Sequence, residues 1–153
     1  IKKYIGYLEE TYFVSQVNKF DYSLKKQIIN DKKTYAVDNG FISKISLKLT
    51  KDNGWLLENV AYTKLKKEGS IFYYSGRHEC DFVVAENKNV KEAVQVCWNL
   101  TQMNRERELN GLLEAMNAFK LKTGVILTND QEEEIEEGAK KIIVKPVWKW
   151  LLE

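Results

Sequence analysis

The sequence predicts an α/β fold in which a mixed central sheet is flanked by helices. Short segments with two-residue apolar alternation, typical of strands, recur along the chain. Longer segments with apolar residues three and four apart, typical of helices, lie between them. A fully apolar stretch at Gly124–Leu127 is expected in the middle of a sheet, because such a strand is covered on both faces.

The first 37 residues predict a helix followed by a small hairpin. Apolar residues recur at helical spacing from the first position with no capping residue before them, so we expect a piece of a longer protein. Removal of a start methionine or tag is the alternative. The hairpin would pair Tyr12–Val17 with Phe20–Leu24 across a two-residue turn. A helix followed by a basic hairpin is typical of the end of a winged helix.

Four lysines come next: Lys25, Lys26, Lys32 and Lys33. We expect them in a solvated loop, which either contacts phosphate or serves only solubility.

The remaining elements follow from periodicity and from helix and turn signals. Gly69 is a helix stop, Asn87–Asn89 is a hairpin turn, and Pro146 suits the first turn of a helix. Gln131–Glu137 is expected to be an acidic loop or short helix. The predicted order after a strand at Thr34–Val37 is a helix at Trp55–Lys67, strands at Ser70–Ser75, Glu79–Ala85 and Ala93–Leu100, a helix at Arg105–Phe119, strands at Gly124–Leu127 and Lys141–Lys145, and a short C-terminal helix.

Composition and charge exclude several classes of protein. The chain has 153 residues with 24 basic and 22 acidic side chains, so it does not bind nucleic acid or membranes by bulk charge. Residues 1–76 carry a net charge of +5 and residues 77–153 a net charge of −3. Two cysteines, one histidine and no glycine-rich phosphate loop argue against a disulfide framework, a histidine zinc site and a nucleotide site. We expect a cytoplasmic protein without a membrane partner.

The central hairpin carries the candidate chemistry. Its apolar residues must face the core, so alternation places Asp81, Gln95 and Cys97 together on the opposite face. The same alternation places Cys80 and Cys97 on opposite faces. Glu58 lies on the preceding helix, beside its apolar stripe.

Carboxylate and amide oxygens at matched positions could hold a hard divalent cation. The candidate ligands are Glu58, Asp81 and Gln95, and the cation would be Mg²⁺ or Mn²⁺, weakly held. Arg105 is predicted to point toward the sheet, where it would hold a phosphate oxygen or pair with a carboxylate, whereas Arg107 is predicted on the far side of its helix. Each residue taken singly is also compatible with a solvated surface position.

Three motifs in order, GWLLENVAY, ECDFVVAE and AVQVCWNL, resemble the PD-(D/E)XK nuclease superfamily. More closely, the chain resembles the C-terminal domain of unknown function of prokaryotic AAA-type ATPases, with the further matching segments YLEETYFV, YSLKKQ, KTYAVDNGF and PVWKWLL. The resemblance implies a restriction-endonuclease-like domain at 38–153, preceded at 1–37 by the end of a winged helix. It also implies an ATPase motor upstream in the full-length protein.

The resemblance also implies roles for individual residues. Glu58 and Asp81 correspond to the helix acid and the strand aspartate of the superfamily. Gln95 and Cys97 stand where the superfamily has an acid and a lysine, so a negative charge and an ammonium group are lost. Arg77 opens the strand that carries Asp81, and with the four lysines it is a candidate nucleic-acid contact.

Three functions remain open from the sequence. The first is a degenerate, non-catalytic domain that associates with nucleic acid, and the second is a Mg²⁺- or Mn²⁺-dependent DNA endonuclease using Glu58, Asp81 and Gln95. The third is a protein-interaction module, for which the C-terminal Trp148, Trp150 and Leu152 are candidates.

Overall fold

The computed structural model describes residues 2–45, 53–87 and 89–153. In chain order its elements are α1 (Lys2–Glu10), β1 (Val14–Lys19), α2 (Leu24–Ile29), β2 (Lys32–Ala36), α3 (Asn39–Ile45), α4 (Gly54–Leu65), β3 (Ser70–Ser75), β4 (Glu79–Glu86), β5 (Asn89–Val96), α5 (Arg105–Ala118), β6 (Thr123–Thr128), β7 (Glu133–Glu137), β8 (Lys140–Pro146) and α6 (Val147–Leu151).

The strands form one mixed sheet in the order β2-β1-β3-β4-β5-β6-β8-β7. Neighbours pair antiparallel at β2/β1, β3/β4, β4/β5 and β8/β7, and parallel at β1/β3, β5/β6 and β6/β8. The predicted α/β class is therefore confirmed. The predicted hairpin of β4 and β5 is also confirmed, although residue 88 of its turn lies outside the described residues.

Both faces of the sheet are covered by helices. On one face, Phe82 of β4 and Val94 of β5 pack against Leu57 and Ala61 of α4. Trp150 of α6 is buried in this same cluster. On the other face, α5 packs its buried residues, which include Leu112, Ala115 and Met116, against residues of β4, β5, β6 and β8. Each fully buried large apolar side chain stabilises the fold by about 1.5–3 kcal/mol.

The N-terminal hairpin prediction is wrong. The antiparallel partner of β1 is β2, with Val17 opposite Lys33, and the predicted strand Phe20–Leu24 is not a strand. The Phe20 N–H still donates to the Tyr73 carbonyl oxygen of β3 over 2.8 Å, and the Phe20 ring packs against Phe119 with ring centroids 4.8 Å apart. The chain then turns into α2.

Strands from both sides of the predicted boundary at residue 37 share one sheet. β1 pairs with β3, and β2 is reached through β1 at the edge. Buried Asn59 of α4 accepts a hydrogen bond from the Ala36 backbone N–H and donates one to the Ala36 carbonyl oxygen. Residues 14–36 thus fold with the rest of the domain, and the winged-helix assignment stays a prediction.

The acidic segment was also assigned wrongly, because Glu133–Glu137 is the edge strand β7. Its burial does not alternate as in a half-buried strand, since four of its five residues are exposed. Pairing with β8 places Glu136 opposite Lys141, and Lys141 also forms an ion pair of 2.8 Å with Glu134. Opposite charges across the pair favour the strand where hydrophobic periodicity gives no signal.

β4 carries a bulge that alters the predicted faces. Two residues of β4, Asp81 and Phe82, lie opposite the single residue Tyr73 of β3. The extra residue places Cys80 on the same face as Val83, in the core cluster around α5. Cys97 also belongs to that cluster, so the prediction that the two cysteines face opposite sides is wrong. Both are free thiols.

Within the described ranges, no helix has the length and hydrophobicity needed to span a membrane.

Candidate functional site

A cleft of about 630 Å³ opens where β4 begins and β5 ends, between α4 and the start of α5. Five of the predicted site residues line it: Lys33, Glu58, Asp81, Gln95 and Cys97. The cleft divides into two polar clusters, one around Asp81 and Glu58 and the other around Gln95.

Asp81 lies at the bulge and is buried. The Val96 backbone N–H donates to its Oδ2 over 3.0 Å, and Lys33 Nζ lies 2.8 Å from its Oδ1. Burial raises the pKa of Asp81 to about 6, with a further contribution from the negative charge of Glu58, while Lys33 opposes the shift.

Lys33 is placed quite differently from its prediction. It is not in a solvated loop but on β2, with its side chain 22% exposed. Its Nζ lies 2.8 Å from Asp81, 2.9 Å from Glu79 and 3.2 Å from Glu58. Burial would lower the pKa of Lys33, but the charges of Asp81 and Glu58 outweigh it and raise the pKa above its ordinary value. Lys33 is therefore an ion-paired cation of the cleft and not a residue of a solvated loop.

Glu58 is held from a second direction by Tyr35. The Tyr35 hydroxyl donates to Glu58 Oε1 over 2.6 Å, and its ring stacks on Tyr62 with centroids 4.5 Å apart. Burial raises the pKa of Tyr35, and the adjacent carboxylate of Glu58 raises it further. Tyr35 thus remains a hydrogen-bond donor to Glu58 at physiological pH.

Gln95 belongs to the second cluster. Its Oε1 accepts the Asp81 backbone N–H over 3.2 Å, and its Nε2 donates to Glu108 Oε2 over 2.7 Å. Glu108 is almost fully buried and also accepts a hydrogen bond of 3.0 Å from Arg107 Nε. The amide of Gln95 therefore cross-links β4 and α5 and does not meet Glu58.

Cys97 follows the last residue of β5 and continues the pairing by one bond, because its N–H donates to the Leu127 carbonyl oxygen. The side chain is buried at the floor of the cleft. Burial raises the pKa of this thiol to about 12, with contributions from Glu108 and Asp81. The thiol is neutral at physiological pH.

The arginine of α5 that faces the cleft is Arg107 and not Arg105, the reverse of the prediction. Arg105 turns away from the cleft and forms a two-pronged ion pair with Glu133 of β7, at 2.6 and 2.9 Å. The prediction failed because it treated the Glu133 segment as a loop, whereas β7 brings that carboxylate beside the helix. Arg107, predicted on the far side, lines the cleft beside Glu108.

The other predicted nucleic-acid contacts lie outside the cleft. Lys25 and Lys26 are exposed on α2, Lys32 is exposed on the edge strand β2, and Arg77 is exposed between β3 and β4. Lys25 and Lys26 belong to the connection between β1 and β2. Lys32 is the first residue of β2, where that connection ends.

The single histidine of the chain also belongs to the cleft. His78 lines the cleft, and its Nδ1 lies 2.9 Å from Glu114 Oε2 on α5. The same carboxylate accepts the backbone N–H groups of Arg77 and His78, at 2.7 and 2.8 Å. Burial alone would raise the pKa of Glu114, but these hydrogen bonds together outweigh it and lower the pKa. Glu114 thus fixes the loop that carries His78.

Sequence reasoning missed two residues of the site, Tyr35 and Glu108, and it placed a third, Lys33, in a solvated loop. Lys33 and Tyr35 are two apart on β2, so both reach the same face, and that spacing was a usable signal. Glu108 lies four residues before Leu112 on the buried stripe of α5, and a carboxylate on such a stripe indicates a buried partner.

The donor set does not fit a divalent metal in the form that the family resemblance implies. The Lys33 ammonium already bridges the carboxylates of Glu58 and Asp81, and the Gln95 oxygen already accepts the Asp81 N–H. Across the part of the chain that the structure describes, no three His, Cys, Asp or Glu residues are arranged to hold a metal ion.

The fold and the cleft define a class: a mixed α/β domain with an acidic cleft whose carboxylates are bridged by a half-buried lysine. This chain is similar to an uncharacterized protein of Methanocaldococcus jannaschii. The two sequences are 31% identical over an aligned length of 165 residues, which covers 99% of this chain. The chain spans 36% of the length of that curated relative. No family model and no solved structure matches the chain.

Proposed function

We propose that this chain is a nuclease-like accessory domain of a larger ATPase, which associates with nucleic acid and does not cleave it. The single observation that carries the proposal is the buried neutral thiol of Cys97 at the position where the resembled nucleases have a lysine. The greater length of the curated relative is compatible with a larger chain.

Phosphodiester hydrolysis requires an activated water and stabilisation of the negative charge that develops in the transition state. A thiol whose pKa is about 12 supplies neither a base nor a positive charge at physiological pH. Gln95 has no charge to attract a metal, and both ends of its amide are already hydrogen-bonded. The cleft therefore lacks two of the groups on which the resembled chemistry depends.

Contacts to nucleic acid would come from the surface outside the cleft. The cleft lining carries four carboxylates against two cationic side chains, Lys33 and Arg107, which disfavours a phosphate there. Lys25, Lys26, Lys32 and Arg77 are exposed and lie outside this acidic lining. Trp55 and Trp98, exposed at the rim, offer ring surfaces on which a base could stack.

A cleavage assay tests the catalytic half of the proposal. Single- and double-stranded DNA would be incubated with Mn²⁺ and wild-type protein, and we expect no cleavage. Cleavage by the wild type that disappears in Glu58→Ala would replace the proposal with the endonuclease alternative. Gain of cleavage in Gln95→Glu/Cys97→Lys would support degeneracy. This variant needs Glu108→Gln as well, because the carboxylate introduced at position 95 would otherwise face that of Glu108.

A binding assay tests the other half. Fluorescence anisotropy with labelled DNA would compare the wild type with Lys25→Gln/Lys26→Gln/Lys32→Gln. We expect weaker binding and a shallower dependence of affinity on salt, by roughly one unit of slope for each lost phosphate contact. The charge-matched control is Lys91→Gln/Lys120→Gln/Lys122→Gln, at exposed positions elsewhere. Equal losses in both variants, or no binding by the wild type, would contradict association through this surface.

A protein contact is a second candidate, favoured by α2. This helix has no buried residue, and its Leu24, Ile28 and Ile29 are 74%, 72% and 68% exposed. By comparison, Trp150 of the C-terminal candidates is buried in the core, while Trp148 and Leu152 are exposed. An apolar helix face of this kind fits a protein partner, here the upstream ATPase motor.

Hydrogen exchange on α2 distinguishes the two candidates. If α2 docks on the motor, its amides exchange more slowly in the full-length protein than in this domain alone, and Ile28→Glu/Ile29→Glu removes the difference. Equal exchange rates in both proteins would exclude this contact.

A further inference from the structure

Three carboxylates surround one ammonium group in the cleft. Lys33 Nζ lies 2.8 Å from Asp81 Oδ1, 2.9 Å from Glu79 Oε1 and 3.2 Å from Glu58 Oε1. The fourth neighbour is the ring of Tyr73, whose centroid is 5.7 Å from the same nitrogen. The ammonium is thus coordinated by oxygen atoms on several sides, in the manner of a bound cation.

We propose that the Lys33 ammonium is the resident cation of the Glu58–Asp81 carboxylate pair, which excludes divalent metal ions, and that its removal converts the cluster into a Mn²⁺- or Mg²⁺-binding site. The proposal does not depend on association with nucleic acid.

The charges explain why Lys33 is needed. Two of the three carboxylates are well covered, since the side chain of Asp81 is 12% exposed and that of Glu58 is 23% exposed. Buried carboxylates that lack a counter-charge repel each other and are costly to desolvate. Lys33 supplies one positive charge at the point where the three carboxylates converge. Without it the cluster carries no cation, and a hard metal ion is the species that matches its oxygen donors.

The geometry explains why a metal could take the vacated position. The carboxylate oxygens lie about 3 Å from Nζ, and bonds to Mg²⁺ are about 2.0–2.1 Å, so each oxygen would need to move by about 1 Å. Glu58 is oriented by the Tyr35 hydroxyl and Asp81 by the Val96 N–H. Both acids therefore keep an anchor on the protein when Lys33 is removed.

The position of Lys33 on β2 explains why its ammonium group reaches the three carboxylates. β2 is an edge strand, and Lys33 lies opposite Val17 of β1 with its side chain directed to the end of the sheet where α4 places Glu58. Lys32 precedes it and is exposed, on the opposite side of the strand. One strand therefore carries an internal lysine and a solvent-facing lysine as neighbours, which provides a matched control.

Calorimetric titration with Mn²⁺ tests the proposal. Wild-type protein, Lys33→Arg and the control Lys32→Ala are expected to show no saturable binding. Lys33→Ala and Lys33→Gln are expected to gain saturable binding of one Mn²⁺, because the competing positive charge is gone and the carboxylate oxygens are free to bind a hard cation. Adding Asp81→Asn to either variant is expected to remove this binding. The thermal midpoint of Lys33→Ala should rise with Mn²⁺ concentration, since a ligand that binds only the folded state stabilises it.

Two results would overturn the proposal. One is a folded Lys33→Ala or Lys33→Gln protein that binds no Mn²⁺. The other is wild-type binding that is as tight as that of the variants and depends on Asp81. If neither variant folds, NMR of the wild type decides the question. The Lys33 ammonium signal must be unchanged by millimolar Mg²⁺, and its loss or displacement would show that a metal competes for the position.

Discussion

Asp81 shows how neighbouring residues and burial set the properties of one carboxyl group. Its pKa of about 6 is the result of opposing effects, in which burial and Glu58 raise the value while Lys33 and the Val96 N–H lower it. Burial is the largest of these, so the carboxyl group holds its proton more tightly in the folded protein than in the unfolded chain. The residue is nevertheless mostly ionised at pH 7.

The raised pKa of Asp81 predicts a stability that falls as pH rises between about 4 and 6. In this interval the folded protein binds the Asp81 proton more tightly than the unfolded chain, whose pKa is near 3.8, so deprotonation costs folding free energy. Urea unfolding from pH 4 to 7 would measure it. The stability of Asp81→Asn should lack this part of the pH dependence. Glu114 and Glu133, whose pKa values are lowered, contribute equally to both proteins, so their effect cancels when the unfolding free energy of one protein is subtracted from that of the other. A constant difference across the interval would contradict the prediction.

Lys33 predicts a second effect at the residue scale. Lys33→Met keeps most of the side-chain volume and removes the charge, so it leaves Asp81 and Glu58 without their counter-ion. We expect a loss of about 3–5 kcal/mol in the free energy of unfolding, the usual cost of breaking a buried pair on one side. Lys32→Met, on the exposed side of the same strand, should change it by less than about 0.5 kcal/mol. Equal effects of the two substitutions in chemical denaturation would show that the Lys33 contacts are not stabilising.

At the scale of elements, α5 approaches the sheet closely where Gly111 stands. A Cβ on Gly111 would lie 2.1 Å from the Glu79 carbonyl oxygen and 3.6 Å from Gln95 Oε1. The missing side chain therefore brings the helix near enough for Glu108, one turn earlier, to reach the amide of Gln95. This close contact, more than helix propensity, explains a glycine in the middle of a 14-residue helix.

Gly111→Ala is expected to destabilise the domain by about 1–3 kcal/mol, because the new methyl group meets a backbone oxygen that has little room to move. Thermal or urea unfolding would measure the loss. The control is Gly6→Ala in α1, where a Cβ meets nothing within 4 Å and the substitution should be neutral or stabilising by up to about 1 kcal/mol. A Gly111→Ala protein as stable as the wild type would mean that α5 can shift outward freely.

Asn59 joins two elements that are distant in sequence. Its Oδ1 accepts the Ala36 N–H at 2.8 Å, and its Nδ2 donates to the Ala36 carbonyl oxygen and to Asn39 Oδ1, at 3.1 and 2.7 Å. It thus fastens the end of β2 and the start of α3 to α4.

Asn59→Ala leaves these buried groups unpaired and should cost about 2–3 kcal/mol of stability. Hydrogen exchange should show the greatest loss of protection at the Ala36 amide. Asn117→Ala, on the exposed part of α5, should have little effect. Equal losses of stability in the two variants would contradict a special role for Asn59.

The elements that were predicted well are those whose pattern is local. β3 was predicted with its observed bounds, and the hairpin of β4 and β5 was recognised, because alternation and turn residues act within a few positions. β2 was predicted as a strand, but its pairing with β1 was not predicted. The two strands are separated in the chain by α2, and a pairing over that distance has no signal in the neighbouring residues. β7 was missed because its charged sequence is stabilised by Lys141 on another strand.

The site was predicted in part for the same reason. Glu58, Asp81, Gln95 and Cys97 do line one cleft, which follows from alternation and from helix position. The role of Lys33 depends on β2 joining the sheet beyond β1, and the position of Arg105 depends on Glu133 of β7. Such contacts between distant segments could not be derived from periodicity.

At the scale of the whole molecule, the two edges of the sheet carry opposite charge. β2 exposes the positive charge of Lys32 at one edge, since Lys33 is paired inside the cleft, and β7 contributes EEIEE at the other. An edge strand offers unpaired backbone groups to other chains, and charged side chains along it oppose such pairing. The acidic residues of β7 lie outside the core, so we infer that their role is to keep this edge from pairing.

Replacing edge charge on β7 should therefore promote association between molecules. Glu136→Thr/Glu137→Thr removes two charges from the edge and keeps residues that are favourable in a strand. Glu137 lies opposite Lys140 at the end of the β7–β8 pair. Light scattering against protein concentration should show association that the wild type lacks, with thermal stability changed little. Glu10→Thr/Glu106→Thr removes the same charge from exposed helix positions and should leave the protein as dispersed as the wild type. Association of both variants to the same extent would indicate that the total charge, which is +2 in the wild type, governs dispersion and that the edge has no special role.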